Sequence, residues 1–504
     1  MDADEFREFG KAMIDYIADY HETIRGRKVL PSVEPGYLQQ LLPDEPPQKG
    51  EPWQEILKDV DRIIMPGVTH WQSPNFHAYY PTSFSFPSVV GDMLSGAFAC
   101  VGFSWMASPA CTELEVTMMN WLGKALHLPE EFLNSSEGPG GGVIQGSASE
   151  ASLVALLAAK DKFVRAIRER NPNVPAPEIK GKLVAYSSDQ SNSSVEKAGI
   201  IGSMTMKLLP SDENGSLQGS TLREALRKDR EAGLIPCFVI ASLGTTGTCA
   251  FDNLEEIGPI CQEEKVWLHI DAAYAGSAFI CPEYRYLMKG IEYADSFNFN
   301  PHKWMLTIFD CSCLWVKDAR HVMDAFNVDR IYLQHNKVSD LPDYRHWQIP
   351  LGRRFRALKL WFVLRSYGVE GIQDHIRKDI NLAKYFDSLV RKDDRFEPCT
   401  LSLGLVTFRL KGDDRLTQQL LDNLTADKTL YLIPCHYRNK LVIRFAIASR
   451  NTKKMDVDFA WKIICEEAKK ILTPKDEADA VIGDKCKFDA ISITATTECL
   501  EKSK

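Results

Sequence analysis

The sequence predicts an α/β protein: a mostly parallel sheet in a large domain, a helical N-terminal segment and a small α+β C-terminal domain. Three observations predict it. Between about Phe86 and Tyr367, helical stretches alternate with short apolar runs, among them Lys182-Leu-Val-Ala-Tyr, Cys237-Phe-Val-Ile-Ala-Ser and Val266-Trp-Leu-His-Ile-Asp. That alternation signals a largely parallel sheet covered by helices. Beyond Gly368, two helical stretches accompany the strand-like pieces Leu405-Val-Thr-Phe-Arg-Leu and Leu441-Val-Ile-Arg-Phe-Ala-Ile, which make a smaller unit. A chain of 504 residues also exceeds what one core of ordinary size holds.

In chain order, residues 1–85 form the N-terminal segment. Phe6, Phe9, Met13, Ile14, Tyr16 and Ile17 recur near helical spacing among charges, so residues 1–30 read as an amphipathic helix. The Pro-rich stretches Pro31-Ser-Val-Glu-Pro-Gly and Leu42-Pro-Asp-Glu-Pro-Pro follow. They cannot form a core alone and are expected to lie over another domain or a partner subunit. Residues 86–367 are the large domain and 368–475 the small one. Residues 476–504, polar and weakly patterned, are expected to be a flexible tail.

Composition narrows the class. With 44% hydrophobic and 25% charged residues the chain is ordinary globular protein, neither disordered nor fibrous. The net charge of -8 is spread without long blocks of one sign, and no basic stripe favours a nucleic acid. No run reaches the ~18 apolar residues of a membrane span, and the acidic start Met1-Asp-Ala-Asp-Glu-Phe is unlike a secretory signal. A cytoplasmic protein is expected. The 13 cysteines are scattered at neither metal-site nor redox-motif spacing and read as reduced small hydrophobes.

The chemistry concentrates in three places. The run Val266-Trp-Leu-His-Ile ends in Asp271, with small residues after it, and ligands of parallel sheets sit at the carboxyl ends of strands. Lys303 follows in Ser296-Phe-Asn-Phe-Asn-Pro-His-Lys-Trp, one crossover later and back at the same cleft. Pyridoxal phosphate needs such a pair: a lysine amine to form a Schiff base and an aspartate to keep the pyridine nitrogen protonated. Gly140-Gly-Gly-Val-Ile-Gln-Gly-Ser-Ala-Ser-Glu reads as a tight glycine turn leading into a helix from Glu150 to about Arg170. Its free N–H groups and the Ser147 and Ser149 hydroxyls suit a phosphate dianion. Taken singly, each feature has a plainer explanation, as a turn aspartate, a surface lysine or a loop; together on one sheet they point to the cofactor.

Asn300-Pro-His-Lys-Trp, His269-Ile-Asp-Ala-Ala-Tyr and Gly146-Ser-Ala-Ser-Glu resemble the motifs of the group II amino-acid decarboxylases. Trp347-Gln-Ile-Pro-Leu-Gly-Arg-Arg-Phe-Arg-Ala-Leu-Lys is similar to the aromatic L-amino-acid decarboxylase branch, and the resemblance covers residues 1–475. It implies the type I fold of pyridoxal phosphate enzymes and a homodimer with shared active sites. It also implies that Thr82, Ser147, Ala148, Ser149, Thr246, Asp271, Ser296, Asn300, His302 and Lys303 surround the cofactor. Trp71, Tyr79, Tyr80, Pro81 and Phe103 would shape the pocket for a small aromatic amino acid, with Phe103 and the loop carrying Tyr332 coming from the partner chain. Gly352 leaves room for an aromatic ring where related histidine decarboxylases tend to have serine.

One position departs from the family. In Ser187-Ser-Asp-Gln-Ser-Asn-Ser-Ser-Val-Glu, Asn192 stands where the ordinary decarboxylases have a histidine that stacks on the cofactor and directs protonation after carbon dioxide leaves. A carboxamide has no proton to exchange near neutral pH, whereas imidazole has a pKa of ~6.5. The carbanion equivalent then survives for longer, and molecular oxygen competes for it. The departure resembles that of the insect aromatic acetaldehyde synthases, and Tyr80, where many decarboxylases have phenylalanine, points the same way. It implies oxidative decarboxylation and deamination of an aromatic amino acid, L-dopa first, to the aldehyde with carbon dioxide, ammonia and hydrogen peroxide. An amine-forming decarboxylase is the alternative. Tyr332 is a candidate lid residue able to give a proton; plant aldehyde-forming relatives replace that tyrosine, so Asn192 would be a different route to the same chemistry.

Overall fold

A computed structural model describes residues 1–328 and 341–473. Seven strands form the first sheet: β1 (Gly141–Gln145), β2 (Leu183–Ser188), β3 (Thr205–Leu209), β4 (Ile235–Ser242), β5 (Trp267–Asp271), β6 (Ser296–Phe299) and β7 (Ser312–Val316). Their order is β1-β7-β6-β5-β4-β2-β3. The β3-β2-β4-β5-β6 pairs are parallel, and β7 alone runs against its two neighbours. The apolar runs are continuous because helices cover both faces. Side chains alternate between two cores: Phe238, Ile240 and Trp267 enter one, Val239, Ala241, Leu268 and Ile270 the other.

The second sheet is wholly antiparallel, in the order β10-β11-β9-β8: β8 (Phe396–Ser402), β9 (Leu405–Leu410), β10 (Ile433–Tyr437) and β11 (Lys440–Ala446). Phe386, Phe408, Phe445, Leu420, Val457 and Ile464 form its core against the helices Asp414–Asp427 and Lys454–Leu472. The helix Arg356–Val390 joins the two units. Its first part carries Leu360 and Val363 into the core of the first sheet, and its last part carries Ala383, Phe386 and Val390 into that of the second. It breaks at Gly368, whose φ of 63° and ψ of 179° no helix interior accommodates.

The N-terminal helix runs over Ala3–Thr23, with Asp2 and Glu5 forming a reciprocal cap. None of its residues is fully buried in the single chain: Phe6 and Ile14 are exposed, while Phe9 is part-covered and stacks on Trp53 at 5.0 Å. The following segment lies over the small domain. Val29 and Leu30 donate to the Lys428 carbonyl, Phe76 bridges to Tyr431, and Arg25 pairs with Asp456 at 2.7 Å. Among the described residues no helix is long and apolar enough to cross a membrane.

The glycine run needs one correction. Gly141 and Gly142 lie in β1 and make no turn; the helix that follows begins at Ala148, capped by Ser147. These positions lack side chains because neighbours occupy the space. A Cβ would stand 1.8 Å from the Glu131 carbonyl oxygen at position 140 and 2.5 Å from Met119 Cε at position 142. Close packing, and not a turn, explains the glycines.

Candidate active site

The cavity that opens at the carboxyl ends of β4 and β5 measures about 190 Å³. Asp271, Asn300, His302, Lys303, Ser147, Ala148, Ser149, Asn192, Thr246 and Tyr80 line it, so the topology gathers ten of the predicted residues from six separate segments. Apart from the Tyr80 segment, which precedes the first strand, each lies at or just past the carboxyl end of a strand on the same side of the sheet, as strand polarity requires.

Asp271 is the last residue of β5, 7% exposed, and accepts the Ala273 N–H at 3.0 Å. Burial raises its pKa, while Lys303 and that N–H pull the other way. Lys303 sits in the short helix Pro301–Trp304 that follows β6. Burial lowers its amine pKa; Asp271 opposes the shift, and the Arg444 guanidinium adds to it. The pair is thus a buried carboxyl and a buried amine, each steadying the charge of the other. A lysine with a depressed pKa yields free amine more readily, as attack on a carbonyl requires.

His302 has a fixed tautomer. Its Nδ1 accepts the Cys311 N–H at 2.9 Å, which leaves the ring proton on Nε2, and burial with Lys303 nearby lowers its pKa to about 3. It therefore lines the cavity as a neutral donor. Asn300 accepts the Ser312 hydroxyl at 2.7 Å, and its N–H donates to the Ala273 carbonyl, which ties the Lys303 segment to the Asp271 turn.

At the far end, Ser147 caps the 23-residue helix Ala148–Arg170 by accepting the Glu150 N–H at 3.2 Å. Its hydroxyl proton stays available, and the first helical N–H groups point past it with the positive end of the helix dipole. A Cβ at Gly146 would press to 3.0 Å on Glu150 Oε2, which accepts the Gly146 N–H at 2.9 Å. An anion cradle, a lysine amine, a buried carboxylate and a neutral histidine around one cavity are the donor set of pyridoxal phosphate, and the residues fit it.

Asn192 caps the helix Ser193–Gly202. Its Oδ1 accepts the Ser194 N–H at 3.0 Å, and its Nδ2 donates to Thr246 Oγ1 at 2.8 Å. The amide is thereby oriented with its donor edge toward the cavity. Tyr80, 8% exposed, stacks on Tyr274 at 3.8 Å, and Tyr274 stacks in turn on Trp304 at 4.7 Å. The Tyr80 hydroxyl donates to the Thr245 carbonyl at 3.0 Å, so the cavity receives the ring and not the hydroxyl. Tyr80→Phe should cost about 1 kcal/mol of stability, the usual net worth of one such bond, read in denaturant unfolding. An unchanged midpoint would show that the hydroxyl contributes nothing there.

Other predicted residues lie elsewhere. Ser296 is buried at the amino end of β6, the wrong end for a ligand, and its hydroxyl serves Trp267 Nε1 and His269 Nδ1, both at 2.8 Å. Thr82 lies just before Ser83, whose N–H donates to the His302 carbonyl, but does not reach the cavity wall. Pro81 and Gly352 likewise stand off it; Phe103, expected to come from the partner chain, does not line the cavity of its own chain. Trp71 and Tyr79 stack on each other at 5.5 Å and are 37% and 41% exposed, with Tyr79 at a φ of 57° that turns its ring away from Tyr80. Tyr332 lies outside the described residues. Sequence reasoning missed Ser194, Ser242, Gly244, Thr245, Ala273 and Tyr274, which also line the cavity. Ala273 and Tyr274 were within reach, since they follow Asp271 directly.

Residues 35–411 match the pyridoxal-dependent decarboxylase conserved domain. The chain is 58% identical over 480 residues to the aromatic-L-amino-acid decarboxylase of Mus musculus, covering 95% of this chain and 100% of the relative. It is 53% identical over 487 residues to the 3,4-dihydroxyphenylacetaldehyde synthase of Aedes aegypti, covering 96% and 94%. Among solved structures, Oryza sativa TDC with PLP and tryptamine superposes with a TM-score of 0.90 at 36% identity, covering 94% of this chain and 99% of that one. Rhodiola rosea 4-hydroxyphenylacetaldehyde synthase does so with a TM-score of 0.87 at 37% identity, covering 94% and 100%. The fold is thus that of the type I pyridoxal phosphate decarboxylases.

Proposed function

The chain belongs to the pyridoxal-dependent decarboxylase family, and from that premise we propose that it converts L-dopa to 3,4-dihydroxyphenylacetaldehyde. One molecule each of oxygen and water is consumed, and carbon dioxide, ammonia and hydrogen peroxide are released. The observation that carries this reading is Asn192, a non-titrating amide in a decarboxylase site whose lysine, aspartate and anion cradle are all present.

When bound, pyridoxal phosphate supplies an imine-forming carbon and an electron-accepting ring for the electrons released as carbon dioxide departs. Lys303 would hold it by its amine, Asp271 would keep the ring nitrogen protonated, and Ser147, Ala148 and Ser149 would receive its phosphate. Asn192 donates one amide N–H to Thr246, keeps the other, and offers no acid. With no acid at position 192 this chain would be slow to return a proton to the substrate's α-carbon, which would leave molecular oxygen to compete for its electrons. The Aedes aegypti synthase at 53% identity supports this outcome, as the mouse decarboxylase at 58% supports the carbon dioxide step. The protein acts as a homodimer with shared sites in this reading: Phe6, Val90, Met93, Phe98, Val101 and Met106 are exposed apolar residues that a single chain leaves uncovered.

Incubation with L-dopa, with oxygen uptake, peroxide and products recorded together, tests the proposal. Aldehyde, peroxide and oxygen consumption in equal amounts are expected; stoichiometric dopamine without oxygen uptake overturns it. Asn192→His should move the product toward amine by about tenfold or more, within the range of a positioned acid. An unchanged ratio would assign the branch to another residue.

A further inference from the structure

The helix that carries Lys303, Pro301–Trp304, has only four residues, too few to hold its shape without outside contacts. On one side of the lysine, the Cys311 N–H holds the His302 ring. On the other, the Trp304 indole Nε1 donates to Asp379 Oδ2 at 3.0 Å, and both residues are fully buried. Asp379 belongs to the helix Arg356–Val390, in the part beyond its break at Gly368. Lys378 Nζ stands 3.2 Å from Asp379 Oδ1 as its counter-charge. His375 Nε2 lies 3.6 Å from Oδ2, and burial lowers the pKa of that ring, so it stays neutral. The small domain closes the other side: a Cβ at Gly404 would stand 3.2 Å from Trp304 Cζ2 and 2.6 Å from Tyr274 Oη. The same indole begins the stack of Trp304, Tyr274 and Tyr80, and Lys303 Nζ lies 5.7 Å from the centre of the Tyr80 ring.

We propose that Asp379 is a positioning residue for Lys303: its bond to Trp304 fixes both the helix that carries the lysine and the ring stack over which the amine lies. A fully buried carboxylate costs free energy that an apolar side chain would not, and here it satisfies an indole N–H buried just as deeply. The lysine is joined to Trp304 by a peptide bond, and its amine returns over the third ring of the stack. A shift of the indole therefore moves the root of the lysine and the seat of its amine together. Displacing a reacting group by about 1 Å can cost on the order of a hundredfold in rate. Asp379 itself does not line the cavity and acts only through Trp304. The assignment rests on Lys303 as the residue that holds the cofactor, which Lys303→Ala tests separately. It does not depend on the aldehyde reading, because carbon dioxide leaves before the two products diverge.

Three variants test it. Asp379→Leu removes the acceptor, Asp379→Asn keeps an acceptor oxygen without the charge, and Trp304→Phe removes the donor while leaving a ring against Tyr274. Each holoenzyme is measured for carbon dioxide release from L-dopa and for the visible circular dichroism of the bound cofactor, both per cofactor bound. Asp379→Leu and Trp304→Phe should each lower kcat by about tenfold or more with KM within about threefold, and should lose roughly half or more of the dichroism. Asp379→Asn should recover kcat to within about threefold of wild type. A merely structural role would lower the yield of holoenzyme and leave both quantities per bound cofactor in place. Values within about twofold of wild type in Asp379→Leu or Trp304→Phe would therefore overturn the assignment, as would an asparagine variant no better than the leucine one. Should Asp379→Leu fail to fold, Trp304→Phe decides.

Discussion

Lys303→Ala is expected to lower carbon dioxide release from L-dopa by on the order of a thousandfold or more, equivalent to at least ~4 kcal/mol of transition-state stabilisation. The size follows from the surroundings. The helix Pro301–Trp304 presents this amine to the cavity across from Asp271, and burial holds its pKa down so that it attacks a carbonyl as a free base. Alanine suits a helix and removes the amine alone, so the variant should fold. It should also lose the visible absorbance of a lysine-bound cofactor. Decarboxylation within tenfold of wild type, with that absorbance retained, would mean that another amine holds the cofactor. A protein that merely carries the cofactor, with no catalysis of its own, would release no carbon dioxide with either residue.

Asp271→Asn should reduce kcat by roughly a hundredfold to a thousandfold and affect KM less. Asparagine keeps the volume and can still accept the Ala273 N–H that Asp271 accepts at 3.0 Å, so the turn after β5 is preserved. The charge is what it loses. A neutral amide no longer favours a proton on the ring nitrogen, and the electron sink weakens at the step where it is needed. The lysine loses support as well, since Asp271 is the neighbour that opposes the depression of its pKa. The pKa of cofactor binding through Lys303 should therefore fall in the variant, a pH profile that a purely structural role would leave in place. Activity within threefold of wild type would remove Asp271 from the mechanism.

How much of this was legible in the sequence depends on what each residue answers to. Asp271 and Lys303 could be placed because a continuous apolar run marks a parallel strand and strand polarity then says which end holds a ligand. The same rule, applied strictly, would have removed Ser296, which begins β6 while the ligand side lies beyond Phe299. The glycines at 140–142 misled because glycine serves both turns and close packing, and only the positions of Glu131 and Met119 tell the two apart. Trp71 and Tyr79 adjoin Tyr80 in sequence or in pattern, yet a positive φ at Tyr79 sends consecutive rings in different directions. Contacts across the fold, such as the Tyr80, Tyr274 and Trp304 stack, have no local signature at all.

The edge strand β1 leads directly into the cap at Ser147, and among the described residues its ladder partner is β7, residues 312–316. During synthesis the strand that leads to the Ser147 cap is therefore made early but stays unpaired until most of the large domain has left the ribosome. Asp271 and Lys303 also emerge in the interval. Closing so long a loop carries an entropic cost that only the finished sheet offsets. Cofactor capture is accordingly a late event in the life of the chain, and a truncation ending before residue 312 should be unable to hold it however well its earlier strands pair.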